Sequence, residues 1–166
     1  MIEIFKKKNL LTPRLICVLT IFSFVNCDLN VAEIPVEIKV INNSGSSIKL
    51  KAFESVSRSL IKEIEIANNA SVSKIFLQKE DMGTIGPKDF FEGDSISIVF
   101  TENQKFIGYH CRYNIESESC NIEGNILNNS DSRWEYERNN GSILRSYTLT
   151  QEDYNDANEC NDNCDF

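Results

Sequence analysis

From Pro35 onward, apolar positions recur with a period of two. Val36, Ile38 and Val40 alternate with Glu37 and Lys39; after "NNSGS", Ile48, Leu50 and Ala52 alternate with Lys49 and Lys51. Successive strand side chains point to opposite faces, so the two runs around a Gly-containing loop predict a β-hairpin with one buried face. Ile64 and Ile66 alternate with Glu63 and Glu65, and Val72 to Leu77 is a further strand with blurred alternation. Residues 78–94 carry Gly83, Gly86, Pro87 and Gly93 and read as a long loop. "SISIVF" (95–100) and "KFIGYH" (105–110) flank the polar "TENQ" and predict another hairpin. From Asn114 to Ser132 the chain is polar, with Ile122, Ile126 and Leu127 as positions that would pin it to the body.

The clearest local geometry lies in "RWEYERNNGSILRSYTL". Asn140-Gly141 predicts a type I′ turn, which needs positive φ at both central residues. Arg138 then faces Ile143, Tyr136 faces Arg145 and Trp134 faces Tyr147, all on one side of the sheet. Trp134–Tyr147 would be an aromatic cross-strand pair, and Arg145 would stack on Tyr136. In "TQEDYNDAN" the period changes: Thr150 with Asp153 three residues on resembles a capping box, predicting a short helix over about 150–157 with Tyr154 and Ala157 toward the body. The tail "ECNDNCDF" reads as irregular. About eight short strands, several loops and one terminal helix predict an all-β fold, a single antiparallel β-sandwich of immunoglobulin-like or related type, with a small β-barrel as the alternative.

The N-terminus follows a different plan. Lys6, Lys7, Lys8 and Arg14 precede Leu15 to Val25, a run interrupted only by Thr20 and Ser23. A basic start followed by a short apolar core reads as a signal peptide over 1–26, because a membrane span needs about 20 apolar residues. Its removal takes four basic residues and Glu3 from totals of 17 and 25, leaving 13 against 24 and a net charge of −11. That balance excludes nucleic acid as an expected partner. The organisation expected is a tether over 27–35, a β-domain over 36–158 and an acidic, cysteine-containing tail over 159–166.

Phe24-Val25-Asn26-Cys27 resembles a bacterial lipobox, in which the cysteine takes a lipid and becomes the new N-terminus; Asn26 stands where a small residue is usual. With the alternating strands, "SISIVF" and "YTLTQEDYNDA", the chain resembles small Bacteroidota lipoproteins of unassigned function over roughly 24–158. The resemblance implies membrane attachment through Cys27, a location in the cell envelope, at the periplasmic face or the cell surface, and no catalytic residues. Asp94-Ser95-Ile96 is similar to the O-glycosylation site of exported proteins in such bacteria, making Ser95 a candidate for modification.

Little else points to chemistry. Cys111, Cys120, Cys160 and Cys164 suggest two disulfides. Local pairing, Cys111–Cys120 and Cys160–Cys164, is expected, and a staple of the tail onto the body is the alternative. A zinc site lacks the short paired spacings. His110 is the single histidine and lies in a strand pattern, which favours a structural role. No nucleophile elbow, phosphate loop or H-E-x-x-H occurs. The oxygen-rich "DYNDANECNDNCD" lacks the order of a calcium loop. Neither cofactor nor metal is expected, and the protein reads as a non-catalytic module with an unknown protein or glycan partner. Trp134, Tyr136 and Tyr147 are the candidate binding face, in keeping with a carbohydrate-binding or adhesin module as the second reading.

Overall fold

The computed structural model describes residues 32–54, 56–79, 83–111, 123–160 and 164. Strands β1 (Glu33–Asn43), β4 (Ala70–Lys79), β8 (Ser142–Thr150) and β7 (Trp134–Asn139) form one sheet in the order β4-β1-β8-β7. Strands β3 (Leu60–Ile66), β2 (Ile48–Phe53), β5 (Ser95–Phe100), β6 (Lys105–His110) and β9 (Asn158–Glu159) form the second, in the order β3-β2-β5-β6-β9. Among the described residues there are two short helices, α1 (Pro87–Phe91) and α2 (Gln151–Asp156). Neither sheet closes on itself, so the architecture is an open all-β sandwich with a short C-terminal helix rather than a barrel.

Alternation placed the core correctly. Val36, Ile38, Val40, Ile48, Leu50, Ile96, Ile98 and Phe100 are each 1% exposed or less. Burying a side chain of this size contributes about 1.5–3 kcal/mol. The expected hairpin of β5 and β6 forms, with Phe100 opposite Lys105. Thr150 caps α2, whose Asp153 completes the capping box, and Ala157 is buried.

Pairing departs from expectation in three places. First, β1 and β2 are not a hairpin. β1 pairs with β4 and β8, and β2 pairs with β3 and β5, so the chain crosses from one sheet to the other at residues 44–47. Alternation reports only that one face of each strand is buried, a condition that a crossing satisfies as well as a hairpin. The crossing is organised by Asn42, which is fully buried. Its amide nitrogen donates to the carbonyls of Ser46 (2.8 Å), Ile66 (3.0 Å) and Ala67 (3.1 Å), and its Oδ1 accepts from the backbone and hydroxyl of Ser44. Ile66 and Ala67 begin the return crossing from β3 to β4, so one side chain joins both crossings.

Second, β1 and β8 run parallel, from Val36 opposite Ile143 to Asn43 opposite Thr150, so pairing is not antiparallel throughout. Third, the stretch read as a loop contains the end of β4 and all of α1. Pro87 opens that helix, Gly86 N donates to Asp89 Oδ2 (2.7 Å), and Phe90 and Phe91 fill the core. Five residues are too few to show a helical period. Two boundaries also move: β1 begins at Glu33, within the expected tether, and Asn158 and Glu159 pair with β6.

The edge strands β3 and β4 are latched by α1. Lys62 of β3 reaches Glu92 at 3.2 Å and Lys74 of β4 reaches it at 2.9 Å. Hydrogen bonds from Lys74 and Lys62 hold the Glu92 carboxyl below its ordinary range. Gly93 follows, where a Cβ would lie 2.9 Å from the carbonyl oxygen of Phe53. Gly93→Ala is expected to destabilise the domain by about 1–3 kcal/mol, the usual penalty of overpacking. An unchanged midpoint in urea unfolding would show that β2 gives way there freely.

Candidate functional site

The β7–β8 hairpin has the register expected from its turn. Asn140 and Gly141 have φ of 47° and 84°, and the facing pairs are Trp134–Tyr147, Tyr136–Arg145 and Arg138–Ile143. The shared face, however, turns into the sandwich. Tyr147 is fully buried and Trp134 is 8% exposed, while Tyr136 is 58% exposed. Trp134 and Tyr147 pack with ring centroids 5.2 Å apart. Their polar ends meet the 123–131 segment: Trp134 Nε1 donates to Ile126 O (3.1 Å) and the Tyr147 hydroxyl to Gly124 O (3.0 Å). The expected binding face of Trp134, Tyr136 and Tyr147 is therefore core for two of its three members. Alternation placed these residues together but could not say that Ile126 and Leu127 fold over them.

Two arginines flank this aromatic pair in different electrostatic settings. Arg133 lies over the Tyr147 ring at 4.6 Å and holds Asp153 through two hydrogen bonds of 2.7 and 2.6 Å. Burial alone would lower the Arg133 pKa, but the Asp153 hydrogen bond and the neighbouring Tyr147 push it above its ordinary value. Burial likewise pushes the Tyr147 phenol well up, and that of Tyr109 to about 12.

Arg145 lies over Trp134 at 5.6 Å, not on Tyr136 as expected. It is only 7% exposed. Its Nη1 donates to Ile85 O (3.1 Å) and to Asn129 Oδ1, and its Nη2 to Asn129 O (2.8 Å). All of these acceptors are neutral. Burial lowers its pKa, and only the Tyr136 phenol opposes the shift.

A pocket of about 360 Å³ opens beside Arg145. Val36, Ile143 and Tyr136 supply apolar surface, and Arg145, Asn129 and Gln78 supply polar groups. Gln78 sits at the end of β4 and accepts from Ile85 N at 3.4 Å, tying the loop before α1 to the pocket rim. The pocket is lined by residues of all four strands of sheet β4-β1-β8-β7 and by Thr84, Ile85 and Asn129 from the connecting loops. The sequence marked Arg145 as sharing a face with Trp134, but not the burial of its charge.

The other sequence candidates fall elsewhere. Ser95 is 2% exposed on β5 and within 3.2 Å of His110 Nδ1, so the folded domain has no room for a glycan on its hydroxyl. Cys160 and Cys164 form a disulfide, and Ser97 Oγ donates to Cys164 O (2.6 Å), laying the tail against β5. Cys111 is buried and disulfide-bonded. Cys120 and Cys27 lie outside the described residues. Among the described residues no group of three or more His, Cys, Asp or Glu side chains is placed to hold a metal ion, and no helix is long and apolar enough to cross a membrane.

Comparison of the chain with protein-family models, curated proteins and solved structures gives no match. Its function rests on its own residues.

Proposed function

We propose that this protein is a membrane-anchored bacterial lipoprotein whose β-sandwich is a non-catalytic binding or envelope-assembly module. The observation that carries this reading is Cys27 at the end of the apolar run 15–25, in the sequence Phe24-Val25-Asn26-Cys27. The Cys160–Cys164 disulfide supports it, since such bonds persist in oxidising compartments. A lipid on Cys27 would hold the domain close to the bilayer. β1 starts at Glu33, so the intervening chain spans at most about 20 Å when fully extended. Two or more acyl chains give stable attachment, at about 0.8 kcal/mol per buried methylene. A carbohydrate-binding or adhesin module is the less favoured reading, since two of its three candidate rings, Trp134 and Tyr147, are buried.

Cys27→Ala is expected to abolish incorporation of a labelled fatty acid and to move the protein from the membrane to the soluble fraction. Continued labelling of the variant would overturn the proposal. Protease treatment of intact cells then separates the two faces of the envelope. Digestion of the wild type places the domain at the cell surface, and protection until the outer membrane is opened places it in the periplasm.

A further inference from the structure

The pocket beside β8 contains a buried cation, the guanidinium of Arg145. Arg145 is 93% buried, and among the described residues no carboxylate pairs with it. A guanidinium has five N–H donors. Three are taken by Ile85 O, Asn129 Oδ1 and Asn129 O, leaving two without an acceptor among the described residues. Buried charges are ordinarily paired, as Arg133 is with Asp153. Among the described residues, the polar lining of the pocket beside Arg145 is Asn129, Gln78 and Thr84, and the apolar lining is Val36, Ile85, Ile143 and the Tyr136 ring. Its volume of about 360 Å³ is at the small end of ligand pockets, which run from about 300 to 1,000 Å³.

We infer that this pocket binds a small organic carboxylate with a compact apolar body. The carboxylate accepts from the two remaining N–H groups of Arg145, and the apolar body lies against Val36, Ile143 and the exposed ring of Tyr136. Charge-assisted hydrogen bonds of this kind are roughly twice as strong as neutral ones, and they are stronger still where water is excluded. The site reads the anion by its charge and the body by its fit. This inference does not depend on lipid attachment, and either can fail without the other.

The chain carries its own reporter, because Trp134 is its single tryptophan and lies 5.6 Å from the Arg145 guanidinium. Purified full-length protein is titrated with 4-methylpentanoate and, separately, with the isosteric neutral 4-methylpentanamide, following tryptophan emission. Saturable binding of the acid at least tenfold tighter than the amide is expected. Arg145→Met is expected to abolish it. Because that variant removes a buried group with three hydrogen bonds, Gln78→Glu provides the decisive second test. It places a carboxylate in the pocket, keeps an acceptor for Ile85 N, and should weaken the acid at least tenfold while the melting temperature is held or raised. Equal binding of acid and amide, undiminished binding to folded Gln78→Glu, no saturable response to either probe, or equally tight binding of inorganic sulfate would each overturn the inference.

Discussion

Asn42→Ala is expected to lower the stability of the domain by about 4 kcal/mol, since each buried backbone group left without a partner costs about 1–3 kcal/mol. The substitution removes the donor shared by the carbonyls of Ser46, Ile66 and Ala67 and the acceptor used by Ser44. Ser44, Ser46 and Ala67 lie in the connections between the sheets, outside any strand, and Ile66 is the last residue of β3. A small domain loses several degrees of melting temperature per kcal/mol, which puts the expected drop above about 10 °C. Asn42→Asp keeps the acceptor but turns a carboxylate toward three carbonyl oxygens, and is expected to be at least as damaging. Urea unfolding with a lower midpoint and an unchanged slope would confirm a native-state effect. A loss below about 1 kcal/mol would mean that the crossings are held by their backbones alone.

The second large effect is expected at Asp153. This side chain joins Arg133 through two hydrogen bonds and accepts from the backbone of Thr150 at 2.7 Å, so it ties the residue before β7 and the end of β8 to the first turn of α2. Removing one partner of a buried ion pair costs about 3–5 kcal/mol. The Arg133 side chain is 30% exposed, which places Asp153→Ala near the lower end of that range, at about 3 kcal/mol. Burial by itself would raise the Asp153 pKa, but the hydrogen bonds from Arg133 and from Thr150 outweigh it and hold the carboxyl below its ordinary range. The sign follows directly. The unfolded aspartate titrates near 3.9, so this stabilisation is fully present above that value and is lost as pH falls through the lower folded-state pKa. Asp153→Asn is expected to flatten the acid limb of the stability profile below about pH 4. Parallel acid limbs in wild type and variant would assign acid unfolding to other carboxylates.

How far the sequence could be read depended on the range of each interaction. The type I′ turn at Asn140-Gly141, the cap at Thr150 and the register of β7 on β8 are set within a few residues, and all three were legible. The Cys160–Cys164 bond, four residues apart, was legible for the same reason. Strand partners were not. Val36 to Val40 alternate identically whether their neighbour is β2 or the distant β8, because alternation records burial and carries no address. Ile75 and Leu77 blurred the pattern of β4 because they point outward on an edge strand, 65% and 61% exposed. The same limit hid the candidate pocket. Arg145 stood among apolar inward positions, and an alternating arginine reads equally well as the rim of a sheet or as a cation sealed beneath a loop. Deciding between those required the path of residues 83–86 and 123–131, which no periodicity describes.

The parallel pairing of β1 with β8 bears on how the domain comes to exist over time. Val36 meets Ile143 and Asn43 meets Thr150, partners separated by more than a hundred positions of chain. A polypeptide emerging N-terminus first presents β1 almost at once, with one hydrogen-bonding edge that stays vacant until nearly the whole domain has appeared. Contacts so distant in sequence slow folding to the millisecond-to-second range typical of β-sandwiches. During that interval the apolar row of Val36, Ile38 and Val40 is an open template for any stray strand. The domain is thus finished by its last long strand, and a chain cut anywhere before Ser142 would keep its first strand but never complete it.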